Sequence, residues 1–215
     1  MQQPQASCAY AAKSKSVHNA ADAPTFHTAP RGHADRIALE RFIAERYARA
    51  YKARVTHFAD NLVGLRSAAG PWTAAVGFTV AGRNRLFVEQ YLEVPVEEEV
   101  SLHANVRVER RRIVEVGNLA APRPGAARDV IVCMTRLLHE LGRSWVVLTG
   151  TRTLLNSFAR LGIQTIELAP ARPSRLADRG ASWGSYYACD PRVIAADISL
   201  GYRQVAALEE HLHAV

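Results

Sequence analysis

The chain has 215 residues, 48% of them hydrophobic, enough for one domain with a buried core. No apolar run approaches the roughly 18 residues that a bilayer-spanning helix needs, so none is expected. The net charge of +7 is carried almost entirely by arginine and suits nucleic acid, anionic lipid, a phosphorylated cofactor or an acidic protein. No aromatic-interleaved basic motif or recognition-helix pattern speaks for nucleic acid.

Residues 1–33 are rich in Ala, Ser, Gln, His and Pro without periodicity and read as a disordered tail, leaving residues 34–215 as a single domain. The first thirty-odd residues lack the apolar core of a secretory signal, so a cytoplasmic protein is expected. Cys8, Cys133 and Cys189 are far apart and leave one over after any pairing, which suits reduced thiols.

Asp35 stands where a helix cap belongs, before apolar residues at Leu39, Phe42, Ile43, Tyr47, Ala50 and Tyr51. Strand-like runs follow at NLVGLRS, WTAAVGFTV and RLFVEQYLEV, the last two joined by a turn at Ala81–Asn84. Pro95 opens a short acidic helix through Glu97, Glu98 and Glu99. The second half alternates: strand RRIVEVGNL, helix Ala126 to Leu141, strand SWVVLTG, helix Arg152 to Leu161, strand IQTIEL. That alternation predicts α/β layering with some parallel pairing. Gly142 and Gly162 stand where the two helices should stop. From Asp190-Pro191 to His213 the pattern predicts a loop and a terminal helix.

Chemistry concentrates in the strand through Glu115. Alternation puts Ile113, Glu115 and Gly117 on one face and Val114, Val116 and Asn118 on the other. A carboxyl among apolar neighbours has its pKa raised, as a general base requires. A salt bridge to Arg110, Arg111 or Arg112 is the structural alternative. Pro122 and Pro124 end strand pairing, and Gly125-Ala126-Ala127 opens a helix whose first N–H groups form a candidate pyrophosphate or phosphopantetheine cradle. Glu89, Gln90 and Tyr91 repeat the pattern of polar groups in an apolar run. If their strand neighbours that of Glu115, Glu89 and Glu115 meet over one pocket and push one pKa up. A solvent-facing edge strand is the alternative.

Several motifs in order, IAERYARAYKARV, FVEQYLE, VEVGNLAAPRPGAAR, LNSFARLGI, ELAPA and WGSYY, resemble the thermostable haemolysin family over roughly Ala38 to Gly201. That family is similar in turn to the GNAT acyltransferases and the acyl-homoserine-lactone synthases. The resemblance implies a mixed, largely antiparallel sheet with helices on both faces. Its splayed parallel strands, through Glu115 and Val147, would take the acyl donor's pantetheine arm between them.

The implied cradle is Pro122, Gly125 and Ala127, with Pro122 replacing the superfamily's Gln or Arg. The implied donor contacts are Val116, Gly117, Asn118, Gly125, Ala126, Ala127, Arg128 and Asn156. Phe158 stands where the superfamily often has a tyrosine acid for the departing thiol. The synthases' Glu-x-Ser-Arg becomes Glu115-Val116-Gly117-Asn118, which keeps the Glu alone.

The function implied is transfer of an acyl group from an acyl carrier protein or acyl-coenzyme A to an amine. Glu115 would act as base, with Glu89 nearby and no permanent cofactor. An acidic carrier protein would dock on Arg110, Arg111, Arg123, Arg128 and Arg152. Arg46 lies in a helix comparable to one in which the synthases have an arginine near the donor site; a solvated arginine is the alternative. Tyr47, Gln90 and Tyr91, with Trp183, Ser185, Tyr186 and Tyr187 of ASWGSYYACDP, are candidate acceptor contacts. A lid that merely covers the sheet is the alternative for that last segment.

The family name implies lysis, for which one expects export and an insertion segment; the sequence shows neither. A binding module without catalysis is the third reading. No histidine pair has metal-ligand spacing, and no metal is expected.

Overall fold

The computed structural model describes residues 25–66, 70–122 and 125–213. Its frame is a seven-stranded sheet built from β1 (Thr25–Pro30), β2 (Asn61–Arg66), β3 (Ala74–Val80), β4 (Ile113–Ala120), β5 (Trp145–Gly150), β6 (Ile166–Pro170) and β7 (Arg192–Asp197). The spatial order is β1-β2-β3-β4-β5-β7-β6, antiparallel throughout except for the parallel pair β4–β5. The helices are α1 (Arg36–Tyr51), α2 (Val96–Ala104), α3 (Ala126–Glu140), α4 (Arg152–Arg160) and α5 (Ile198–His213). Among the described residues no helix is long and apolar enough to cross a membrane.

Alternation along the strands sorts the core into two layers. On one face, Leu39 and Ile43 of α1 pack on Leu62 and Ala75, and α2 sets Val96 and Val100 against Ile113, Val147 and Val193. On the other, Val130, Met134 and Leu138 of α3 cover Val76, Phe78 and Val114, while α4 and α5 close over Leu148 and Ile194. Each fully buried Leu or Ile contributes about 1.5–3 kcal/mol, so both layers anchor the sheet.

Four features differ from the sequence reading. Thr25–Pro30, inside the expected tail, is an edge strand paired with β2; residues 1–24, with Cys8, lie outside the described residues. RVIAAD, expected in a loop, is β7, inserted between β5 and β6. Phe87–Gln90 is a 3₁₀ turn, not a strand, so period-two alternation does not apply to Glu89, Gln90 and Tyr91. Asp35 occupies the N-cap of α1 but makes no capping bond; its carboxylate accepts from Arg66 instead, at 3.3 Å.

Two departures from regular pairing shape the middle of the sheet. Between β3 and β4 the register runs Gly77↔Gly117 and then Ala75↔Ala120, so β4 carries an extra residue, and Asn118 is left-handed (φ 53°). Between β4 and β5 pairing stops at Val116↔Leu148, whereas β5 stays paired with β7 through Gly150. Beyond that point β4 and β5 part.

Candidate active site

The gap between β4 and β5 opens into a cavity of about 200 Å³ lined from both faces of the sheet. Glu115, Tyr91 and Trp183 border it on the α1–α2 side; Met134, Leu138 and Phe158 border it on the α3–α4 side. The cavity therefore passes between the strands.

Strand β4 delivers Glu115 to the wall, opposite Thr79 and beside Val147. Its two carboxylate oxygens accept the N–H groups of Phe87 (2.7 Å) and Val88 (3.0 Å), which open the 3₁₀ turn. Burial raises its pKa to about 7, outweighing those two N–H bonds, with a small further push from Glu89. The salt-bridge alternative fails because each nearby arginine is engaged elsewhere. Arg110 binds Glu89 and Glu97, Arg111 binds Glu109, and Arg112 donates to the Gly142 carbonyl. Each Glu115 oxygen keeps a lone pair for a substrate proton.

Glu89 behaves differently. It is 3% exposed and accepts Leu86 N–H (2.6 Å), Val96 N–H (3.0 Å) and two Arg110 bonds (2.7 and 2.8 Å). Burial alone would raise its pKa, but the Arg110 bonds, helped by Val96 and Leu86, hold it at about 2. Glu89 is absent from the cavity wall, so its expected catalytic place is corrected to a clamp between turn and helix.

Aromatic rings close the α1 side. Trp183 stands among Tyr47 (6.1 Å between centroids), Phe87 (5.7 Å) and Tyr186 (5.5 Å). Tyr51 meets Tyr186 edge-on at 5.2 Å, and the hydroxyls of Tyr91 and Tyr187 share a 2.5 Å hydrogen bond. Burial pushes all five phenols up, so they stay neutral near pH 7. Gly184 ties this segment to the end of α1. Its φ of 53° and its approach to the Tyr51 carbonyl leave no room for a Cβ, and Ser185 N–H donates to the same carbonyl at 2.8 Å.

The bulge brings a further contact. Rather than pointing to the opposite face as alternation predicts, Asn118 reaches the Glu115 side. There its side chain accepts from Ala59 N–H (2.9 Å) and donates to the His57 carbonyl (3.1 Å). A Cβ on Gly77 would lie 2.7 Å from Ala59 and 3.0 Å from the Asn118 Oδ1, so glycine makes room for the strap. His57 is thereby stacked on Phe87 at 5.4 Å, its pKa lowered by burial and by Arg31.

Of the residues singled out from sequence, the cavity gathers Glu115, Val116, Gly117 and Asn118 with Tyr47, Tyr91, Trp183, Tyr186 and Tyr187. Phe158 and Tyr51 line it as well, but several others do not. The Arg46 guanidinium lies over the Phe42 ring at 5.0 Å, Gln90 donates to the Phe87 carbonyl, and Ser185 serves the Tyr51 carbonyl. Gly125 caps α3 with φ +84°, and Ala126, Ala127 and Arg128 open that helix outside the cavity wall. Asn156 is exposed on α4. Arg110 and Arg111 precede β4, at the end opposite the gap. Arg123 and Pro124 lie outside the described residues.

Among the cavity residues that the sequence reading did not single out are His57 and Thr149. His57 carried no motif. Thr149 follows the last β4–β5 pair on the Glu115 face and buries its hydroxyl oxygen without a partner; only knowledge of the splay would have marked it.

Comparison with solved structures places this arrangement. The acyl-homoserine-lactone (AHL) synthase LasI aligns with a TM-score of 0.55 at 9% identity, covering 82% of this chain and 91% of that one. FeeM, an N-acyl amino acid synthase from uncultured soil microbes, aligns at 0.52 and 13% identity, covering 81% and 89%. BjaI, a CoA-dependent acyl-homoserine lactone synthase solved with SAM and isopentyl-CoA, aligns at 0.52 and 13%, covering 85% and 90%. These likenesses show a shared GNAT-like fold. No match was found among curated proteins. The family model described as thermostable hemolysin matches residues 29–202, and the chain belongs to that family.

Proposed function

We propose that the protein is an acyltransferase that moves an acyl group from a thioester to an amine, with Glu115 as general base. The observation that carries this reading is an unpaired carboxyl, poised near neutrality, on the wall of a cavity crossing two splayed strands. The backbone edges beyond Val116 and Leu148, free of strand partners, suit the amide groups of a pantetheine arm, and the lone Thr149 hydroxyl suits another polar group of it. The apolar wall at Val130, Met134 and Leu138 suits the acyl chain.

In the reaction Glu115 accepts one proton from the incoming ammonium, directly or through water. The freed amine attacks the thioester carbonyl, the C–S bond breaks as the amide C–N bond forms, and the second amine proton leaves with the thiolate as a thiol. Glu115 then returns its proton to solvent. Phe158 rules out a phenol acid at its position; the cavity's tyrosines supply neutral donors instead.

The donor is read as a carrier-protein thioester. Arg128 and Arg152 are exposed on the helices that follow β4 and β5, at the open end of the gap, where an acidic carrier would dock. Intact mass spectrometry after mixing the protein with matched acyl-carrier-protein and acyl-coenzyme A donors and a panel of amines tests both points. Acylated amine is expected, with higher kcat/KM on the carrier form. Preference for coenzyme A would overturn the carrier assignment, and no product from any combination would overturn acyl transfer.

A further inference from the structure

The acceptor chamber differs from one built for an amino acid. An α-carboxylate held in a buried site needs a guanidinium, an ammonium or several charge-assisted N–H donors, because an unpaired charge is costly to desolvate. Among the described residues, the cavity wall contains no Lys or Arg. Arg46, the candidate from sequence, lies over the Phe42 ring and outside the cavity wall. The Phe87 and Val88 N–H groups, donors that suit a carboxylate, already serve Glu115. The carboxyls in the wall are Glu115 itself and Asp197, whose Oδ1 accepts Leu200 N–H at the start of α5. An acceptor carboxylate would therefore enter without a cation and beside a carboxyl of its own sign.

The same wall is well made for the opposite charge. Partly buried rings of Tyr47, Tyr51, Phe87, Trp183 and Tyr187 line the cavity with Glu115. Aromatic faces attract ammonium groups, most strongly where water is excluded. One hydroxyl donates to the other in the Tyr91–Tyr187 pair, and His57, its pKa lowered by burial, brings no lasting positive charge, so apart from the two carboxyls the wall offers neutral groups and ring faces, which favour a cation over an anion.

We infer that the acceptor is a primary amine lacking a carboxylate, an arylalkyl- or alkylamine that enters the aromatic chamber as its ammonium ion against Glu115. This rests on the acyl-transfer reading and narrows it. It also gives a reason for product release: the amide carries no charge, so the rings and Glu115 lose their hold once transfer is complete.

The test uses pairs that differ only in the carboxylate, tyramine against tyrosine and cadaverine against lysine, with 4-hydroxyphenethyl alcohol as the uncharged control. Binding to the whole protein is measured by calorimetry without any donor, and acylation separately with a thioester panel. At least one amine is expected to bind roughly a hundredfold or more tighter than its amino acid, and tighter than the alcohol. Trp183→Leu should weaken that binding about tenfold and Trp183→Phe only slightly, since a ring is kept. Selective amine binding without acylation would sink acyl transfer and leave the chamber's preference standing. Acylation of the amino acids as efficiently as of the amines would overturn the inference and leave acyl transfer standing. Absence of amine binding, or equal binding of the alcohol, would also overturn it.

Discussion

Glu89 lies within the 3₁₀ turn Phe87–Gln90 and Glu115 against its first N–H groups, and the two are built from the same materials. Each lies among apolar neighbours, and each accepts two backbone N–H groups at the end of a short helix or turn. The difference is one guanidinium. Arg110 reaches Glu89 and Glu97 and makes Glu89 a permanent anion, held near 2; Glu115 has no such partner and stands at about 7. Burial and N–H bonds do not by themselves make a base. The absence of a paired cation leaves a carboxyl able to take up and give back a proton near neutral pH.

The largest effect expected from breaking this contrast is chemical. Glu115→Gln keeps the shape, but its one amide oxygen can hold only one of the Phe87 and Val88 N–H groups, so the fold should persist at a modest cost while acyl transfer falls by roughly 10²–10⁴. Circular dichroism and turnover on a defined thioester and amine check the two halves together. Glu89→Gln should do the reverse. It leaves Arg110 paired with Glu97 alone and gives the Leu86 and Val96 N–H groups one acceptor oxygen between them, at a cost of about 1–3 kcal/mol, and turnover per folded molecule should be nearly unchanged. A denaturant titration reads this, and a stable Glu89→Gln with lost activity would invert the two roles.

Stability against pH sharpens the comparison, because the two shifts have opposite signs. Glu89 is depressed in the folded state, so its contribution is present above the unfolded carboxyl range near 4.5 and is lost as pH falls toward 2. Glu115 is raised, so its contribution is full below about 4.5 and is lost as pH rises through about 7. The Tm of Glu115→Gln relative to the native protein should therefore rise from pH 5 to pH 8. A native Tm advantage that grows toward pH 8 would mean that the carboxylate is stabilised by a partner.

The smallest expected effect lies at the far wall. Tyr187→Phe removes the partner of the Tyr91 hydroxyl at a cost of about 1–3 kcal/mol if water does not replace it. The acceptor KM should rise several-fold in steady-state kinetics while kcat changes less. A loss of stability with native kinetics would make this segment packing alone.

Much of this was legible in the sequence, for reasons that also explain the rest. Strands and helices from Ile113 to Pro170 were readable because both layers bury them and glycines end the helices at Gly142 and Gly162 (φ 66° and 68°). Glu115 was visible as a carboxyl in a buried run. β7 was hidden because its six residues carry two small alanines after Asp-Pro and have no amphipathic face, being covered on both sides. FVEQ passed for a strand because local composition does not register a carboxylate folding back onto its own turn. Asn118 changed sides because one extra residue in β4 breaks the alternation on which a face assignment depends. Arg110 reads as docking surface from pattern alone, which does not tell a solvated arginine from one clamping two glutamates.

The central claim is that Glu115 takes the acceptor's proton. Its most direct test is the pH dependence of kcat/KM for one acyl thioester and one amine, in the native protein and in Glu115→Gln. The native rate should rise as Glu115 ionises and level off above a midpoint of about 7, while the variant stays low and loses that midpoint. A variant that keeps both the native rate and the native midpoint would assign the proton transfer to another group and reduce Glu115 to a strand residue holding the turn.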